Sequence, residues 1–139
     1  MNVTEYSLPL PLVTPESAPY WEGCRRHQLL LRFCQGCETW YFYPRDICPK
    51  CGSRDVAWRQ ASGRAILHTY AIVHQPPMPA FVDRVPYVTA IVELAEGPRM
   101  ATNIVGVKPD PSAIRIGMEL RVFYEDVATG MTLPKFGPA

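Results

Sequence analysis

The stretch CQGCETWYFYPRDICPKCG, residues 34–52, decides the fold. It holds two Cys-x-x-Cys pairs, Cys34/Cys37 and Cys48/Cys51, separated by ten residues. One such turn aims two sulfurs at a single ion, and a second turn completes a tetrahedron. The spacing therefore reads as a structural Zn2+ site. A closed four-thiolate shell leaves no position open for substrate or water, so the metal is expected to hold the fold and take no part in chemistry. Gly52 suits the second knuckle, where a left-handed backbone lets amides point at sulfur.

The flanks extend this reading. Leu29–Phe33 (LLLRF) enters the first pair as a strand, Glu38–Tyr43 (ETWYFY) returns, and Pro44-Arg45-Asp46 turns into the second pair. Residues 29–55 then form a zinc ribbon with almost no interior. Metal binding, of about 10–16 kcal/mol, would supply most of its stability.

Residues 1–28 read as an arm and a helix. The arm, to about Thr14, is apolar and punctuated by Pro9 and Pro11. It is expected to lie along the body or a partner. Thr14-Pro15-Glu16 combines a capping hydroxyl, a first-turn proline and an acid, which predicts a helix from about Pro15 to His27. Tyr20, Trp21 and Cys24 would form its buried stripe.

Residues 56–139 change to period two. Strands are predicted over Arg64–Gln75, Val85–Leu94, Met100–Val107 and Leu120–Val127, with Val56–Gln60 as an added edge strand. The tail Thr132–Phe136 is apolar enough to dock. Short strands closing on themselves in so few residues predict a small barrel of the OB-fold type. The fold class is thus mostly β: an N-terminal helix and rubredoxin-like zinc ribbon, then an OB-fold barrel.

The 139 residues carry a formal net charge of +1, too little to argue for nucleic acid or an acidic membrane surface. No run of eighteen apolar residues predicts a membrane span. The N-terminus lacks the basic start and continuous apolar stretch of a signal peptide, and paired Cys-x-x-Cys suits a reducing compartment, so a cytoplasmic location is expected.

Several local pieces share one order: the aromatic helix around Tyr20-Trp21, LLLRFC, ICPKCGS, and Trp58 before Ser62-Gly63-Arg64. They continue with Pro86-Tyr87-Val88, Ile116-Gly117-Met118 and Leu133-Pro134-x-Phe136. Over nearly the whole chain this resembles the zinc-ribbon/OB-fold family known as domain of unknown function 35. The resemblance implies a non-catalytic partner of thiolase-like enzymes, including CoA-thioester aldolases of steroid or lipid breakdown. Ribbon and helix would contact the thiolase-like subunit, and the barrel would receive or guide acyl-CoA. Glu38 departs from the glycine often found in the family's first knuckle, and Gly36 is expected to relax that turn instead. Cys24 lies outside the ribbon pattern and reads as a buried apolar group.

His27, His68 and His74 are too scattered to form a catalytic set, and no nucleophile has a recognisable motif beside a base, so no catalytic residue is assigned. His74 opens a loop and is the histidine to test for ligand contact. The loop Gln75–Arg84 is stiffened by Pro76, Pro77 and Pro79 and offers Met78, Phe81 and Arg84. Coenzyme A carries phosphates, so Arg64, Arg84, Arg99 and Lys108 are candidate CoA contacts beside His74 and Phe81. Tyr20, Trp21, Trp40, Tyr41, Phe42 and Met78 are candidate partner contacts, since interfaces favour aromatic anchors. The expected assembly is a hetero-oligomer holding an acyl-CoA thioester. The alternative is a single-stranded nucleic-acid module, which needs stacking aromatics and a basic groove. Seven bases and seven acids between Arg64 and Ala139 argue against it.

Overall fold

The computed structural model describes residues 8–139, so the first seven residues of the predicted arm lie outside the described part. Thr14 opens a turn before the helix. Its carbonyl accepts from Ser17 N at 3.1 Å and Ala18 N at 2.8 Å, and its hydroxyl accepts from Ser17 N at 3.2 Å. Helix α1 then spans Ala18–Arg25, one turn later than the capping signal suggested. It stops where His27 takes a left-handed backbone (φ 57°). Gln28 N donates to Gly23 O and His27 N to Cys24 O, which satisfies the last carbonyls as in a Schellman cap.

The ribbon is a three-stranded sheet ordered β2-β1-β3, with β1 over Leu30–Cys34, β2 over Thr39–Tyr41 and β3 over Val56–Gln60. The strand 56–60, read as an added edge to the barrel, instead pairs antiparallel with β1, from Leu30↔Gln60 to Cys34↔Val56. Pairing there covers the free edge of β1 and brings Trp58 opposite Arg32.

The barrel uses β4 (Arg64–Val73), β5 (Tyr87–Leu94), β6 (Arg99–Ile104), β7 (Glu119–Ala128) and β8 (Met131–Pro138), closed in the order β4-β5-β6-β8-β7. β5 alternates strictly, with Val88, Ala90, Val92 and Leu94 inside. Register shifts at Leu67/Thr69 and Asp126/Ala128 bend β4 and β7 enough to close the ring. Gly63, at φ 81°, turns β3 into β4; a Cβ there would lie 2.7 Å from Val122 Cγ1.

The docking tail is in fact the fifth barrel strand. β8 pairs along its length with β7 and meets β6 in parallel at Ile104↔Phe136. Pro134 hides it in the sequence, because proline argues against a paired strand. With one register pair to β6, most of that edge asks for no donor from Pro134.

One core runs through three elements. Tyr20 and Cys24 of α1, and Leu29 and Leu31 at β1, share a cluster with Leu67, Val92, Leu120 and Phe136 of the barrel. The helix packs against both β8 and β1 and thereby ties ribbon to barrel. No helix among the described residues is long and apolar enough to cross a membrane.

Candidate metal centre and ligand grooves

Both Cys-x-x-Cys turns converge. Cys34 and Cys51 Sγ lie 3.6 Å apart, Cys37 and Cys48 Sγ 3.7 Å, and all four sulfurs fall within 4.8 Å of one another. Tetrahedral thiolates about 2.3 Å from zinc sit about 3.8 Å apart, so the quartet fits that ion. Cys37 N points at Cys34 Sγ (3.5 Å) and Lys50 N at Cys48 Sγ (3.4 Å), the amide-to-sulfur contacts that favour thiolate. Burial opposes ionisation of Cys48, but amides of Cys51 and Lys50 and the neighbouring sulfurs bring its thiol down to about 6. At Cys51 an amide from Ser53 favours the thiolate, yet the adjoining sulfurs prevail and hold it near 12. Four sulfurs this close cannot all carry charge unaided; a divalent cation resolves the conflict.

The knuckles match in backbone. Gly52, after Cys51, has φ 77°, as the sequence indicated. Glu38, after Cys37, has φ 55° and takes the left-handed conformation itself; Gly36 does not take it over. The position after the second cysteine must turn the chain back under the sulfurs, and Gly36 precedes that point.

A buried guanidinium braces the second knuckle. Arg32, 7% exposed, donates from Nε to Arg45 O (3.2 Å) and from Nη2 to Asp46 Oδ1 (3.0 Å), and lies 4.6 Å from the centre of the Trp58 ring. Asp46 N in turn donates to Glu16 at 3.1 Å, joining the knuckle to the turn before α1.

Two grooves adjoin on the barrel flank. The first, of about 460 Å³, lies between the 81–88 segment, the end of β6 and β8, and is lined by Phe81, Arg84, Tyr87, Ile104, Val107, Glu125 and Lys135. The second, of about 500 Å³, lies between α1, the ribbon and β6/β8, and is lined by Tyr20, Trp21, Phe42, Tyr43, Met100 and Pro134. Asn103, Leu133 and Lys135 line both, so the grooves meet at these residues. The arm borders them too: Leu8 and Pro9 the first, Leu12 and Thr14 the second.

Lys135 sits at the junction. Its Nζ donates to Asn103 Oδ1 at 2.6 Å, while Asn103 Nδ2 donates to Val88 O at 3.1 Å and fixes the amide. Burial holds the Lys135 ammonium below the usual lysine range; Glu125 pulls it back up and Arg84 pushes it further down. Sequence reasoning missed Lys135 and Asn103. Once 131–138 is a strand, period two places Lys135 beside Leu133 on the outer face, opposite the buried Phe136, but Pro134 masks the strand.

The candidate residues divide. Phe81 and Arg84 meet at the first groove, where Phe81 packs on Tyr87 at 5.6 Å between ring centres. Arg64 lines a separate groove of about 520 Å³ at the other end of the barrel, beside Glu93 and Glu119. Two carboxylates there oppose a polyphosphate. Arg99 also faces that end, 3.9 Å from Glu93. His74 and Lys108 are exposed and line neither flank groove. Of the aromatic candidates, Tyr20 and Tyr41 are turned inward, at 4% and 5% exposure. Tyr41 packs against the cysteine cluster and donates its hydroxyl to Arg45 O, so the isolated chain offers little of it to a partner. Trp21, Trp40 and Phe42 are half-buried, and Met78 is exposed. Cys24 is fully buried, and desolvation pushes its thiol up to about 12, an inert core group.

A four-cysteine ribbon joined through one helix to a five-stranded barrel with a grooved flank defines a zinc-ribbon/OB-fold protein. Comparison with known proteins agrees. Residues 21–57 match the family described as "ChsH2, rubredoxin-like zinc ribbon domain", and residues 58–125 match "ChsH2, C-terminal OB-fold domain". A DUF35 domain-containing scaffold protein of Methanothermobacter thermautotrophicus is 36% identical over 104 residues, covering 74% of this chain and 76% of that one. A probable enoyl-CoA hydratase alpha subunit of Thermomonospora curvata is 38% identical over 131 residues, covering 94% of this chain; the chain spans 40% of that relative's length. Among solved structures, a chain of the "Ltp2-ChsH2(DUF35) aldolase" superposes with a TM-score of 0.81 at 37% identity, covering 92% of this chain and 98% of that one. This chain belongs to the DUF35 family, the zinc-ribbon/OB-fold proteins.

Proposed function

We propose that this chain is a non-catalytic accessory subunit that binds a thiolase-like enzyme in the cytoplasm and helps hold or channel its acyl-CoA thioester. The observation that carries the reading is the first flank groove, lined by the two cations Arg84 and Lys135 against one carboxylate, Glu125, and by the apolar faces of Phe81, Tyr87 and Ile104. A CoA thioester needs that combination: phosphates seek guanidinium or ammonium, and the pantetheine and acyl arms seek apolar surface. The second groove prolongs the apolar path towards α1 and the ribbon, where Trp21, Phe42 and Tyr43 would meet the partner. The hydratase-subunit and aldolase relatives support an acyl-CoA setting and a hetero-oligomer. Steroid or lipid breakdown is the pathway class that the family resemblance implies. Zinc is scaffold in this reading, and the catalytic groups belong to the partner.

Calorimetry with acetyl-CoA and with single-stranded DNA tests the reading. Saturable thioester binding that weakens in Arg84→Ala and Phe81→Ala is expected. Tight, salt-dependent DNA binding without thioester binding would replace it with the nucleic-acid reading. Co-expression with genomic neighbours should yield a stoichiometric thiolase-like subunit; a persistently solitary monomer would count against the assembly.

A further inference from the structure

We infer that Lys135 is an acyl-accepting amine: a thioester lodged in the flank groove transfers its acyl group to Lys135 Nζ. The inference rests on the acyl-CoA reading above for its donor. Its acceptor side rests on the placement of Lys135. The side chain is half-buried at the junction of two grooves, and its Nζ is held 2.6 Å from an amide oxygen that is itself anchored to β5. Lysine becomes a nucleophile when it is desolvated or set near another cation; Lys135 is half-buried and shares its groove with Arg84, while its bond to Asn103 Oδ1 holds the side chain in place at some cost to the free amine. Glu125 opposes them, and the net effect still favours the free amine over that of an exposed lysine.

The step balances without a further reactant. The neutral amine attacks the thioester carbonyl, the C–S bond breaks, and coenzyme A leaves as the thiol carrying the amine's proton. The product is an amide at Lys135, which has no charge. One of the two groove cations is thereby removed, so the ligand of the groove would weaken the groove's hold on the next molecule.

The sequence supplies its own controls. Lys50 and Lys108 are the other two lysines of the chain, and both are exposed. Incubation with acetyl-CoA followed by peptide mapping should find Lys135 acetylated faster than either. Trace labelling with acetic anhydride, which needs no binding site, should also favour Lys135 below pH 9. Arg84→Gln should lower that anhydride preference, which a lysine acting only as structural support would not register. Equal or slower labelling of Lys135 by both reagents overturns the inference. Preference with anhydride but none with acetyl-CoA overturns the thioester step. Calorimetry separates the two failures. If acetyl-CoA binds and Lys135 still lags, only this inference falls; if acetyl-CoA does not bind, the accessory-subunit reading falls with it.

Discussion

The ribbon buries sulfur where the barrel buries hydrocarbon. Cys34, Cys48 and Tyr41 make up the ribbon's own buried cluster, with Cys37 and Val56 packed against it. The barrel's cluster is mostly Leu, Val, Ile, Ala, Met and Phe, and it reaches out to take Leu31 from the ribbon's inner strand and Leu29 just before it. One region therefore depends on coordination and the other on area removed from water. The difference explains how a short sheet with two knuckles can stand beside a closed barrel: β1 belongs to both, with Leu31 in the barrel core and Cys34 at the metal centre.

The comparison breaks most readily at the metal. Chelation should remove about 10–16 kcal/mol of coordination free energy, and Cys48→Ser, which takes one of four thiolates, a part of it. Hydrogen exchange should then show β2 and both knuckles losing protection while β5 amides keep theirs. Equal loss in both regions would mean that ribbon and barrel form one cooperative unit. A metal-free protein with protected knuckles would remove zinc from the account.

Phe136→Ala probes the other side. Phe136 is fully buried, and its truncation should cost about 3–5 kcal/mol. Thermal unfolding should drop while zinc stays bound in the folded protein. Zinc release at ambient temperature would show that the barrel core holds the ribbon in place.

Arg32→Ala should cost about 1.5–3 kcal/mol, since it leaves Arg45 O without a charged donor and Asp46 without its partner. Asp46 is 65% exposed, so the ionic part is screened and the lower end is expected. The effect should appear as faster zinc loss to a chelator. Unchanged loss would show that coordination alone shapes the second knuckle.

The smallest change expected is a gain. Glu38→Gly should stabilise the ribbon by about 1 kcal/mol, because a left-handed backbone strains any residue with a Cβ. Gly52→Ala should cost a similar amount at the matching position. Denaturation midpoints read both, and destabilisation by Glu38→Gly would mean that the Glu38 side chain contributes more than its strain.

Much of the ribbon was legible in the sequence because its chemistry is local. Two Cys-x-x-Cys turns announce their own geometry, and four of the five barrel strands follow from period-two alternation. The fifth strand was masked by Pro134, and the affiliation of Val56–Gln60 was misplaced. Strand pairing is a choice between distant edges, and residues 56–60 contain nothing that names β1 as their neighbour. The grooves were less legible still. Loop composition put Phe81 and Arg84 in one group with Arg64 and Arg99, but the fold sets the first two along one groove and the last two at the far end of the barrel. Tyr41 looked like one more surface aromatic until the knuckles closed over it.

By itself the sequence determined the sulfur quartet, the helix and the barrel class, because each is written in spacing or periodicity over a few residues. Only the tertiary structure decided which strand completes the ring and which basic residues share a groove. Lys135 and Arg84 lie 51 positions apart in the chain. They come to one groove because barrel closure, driven by burial of residues such as Phe136, brings β8 near the segment that enters β5.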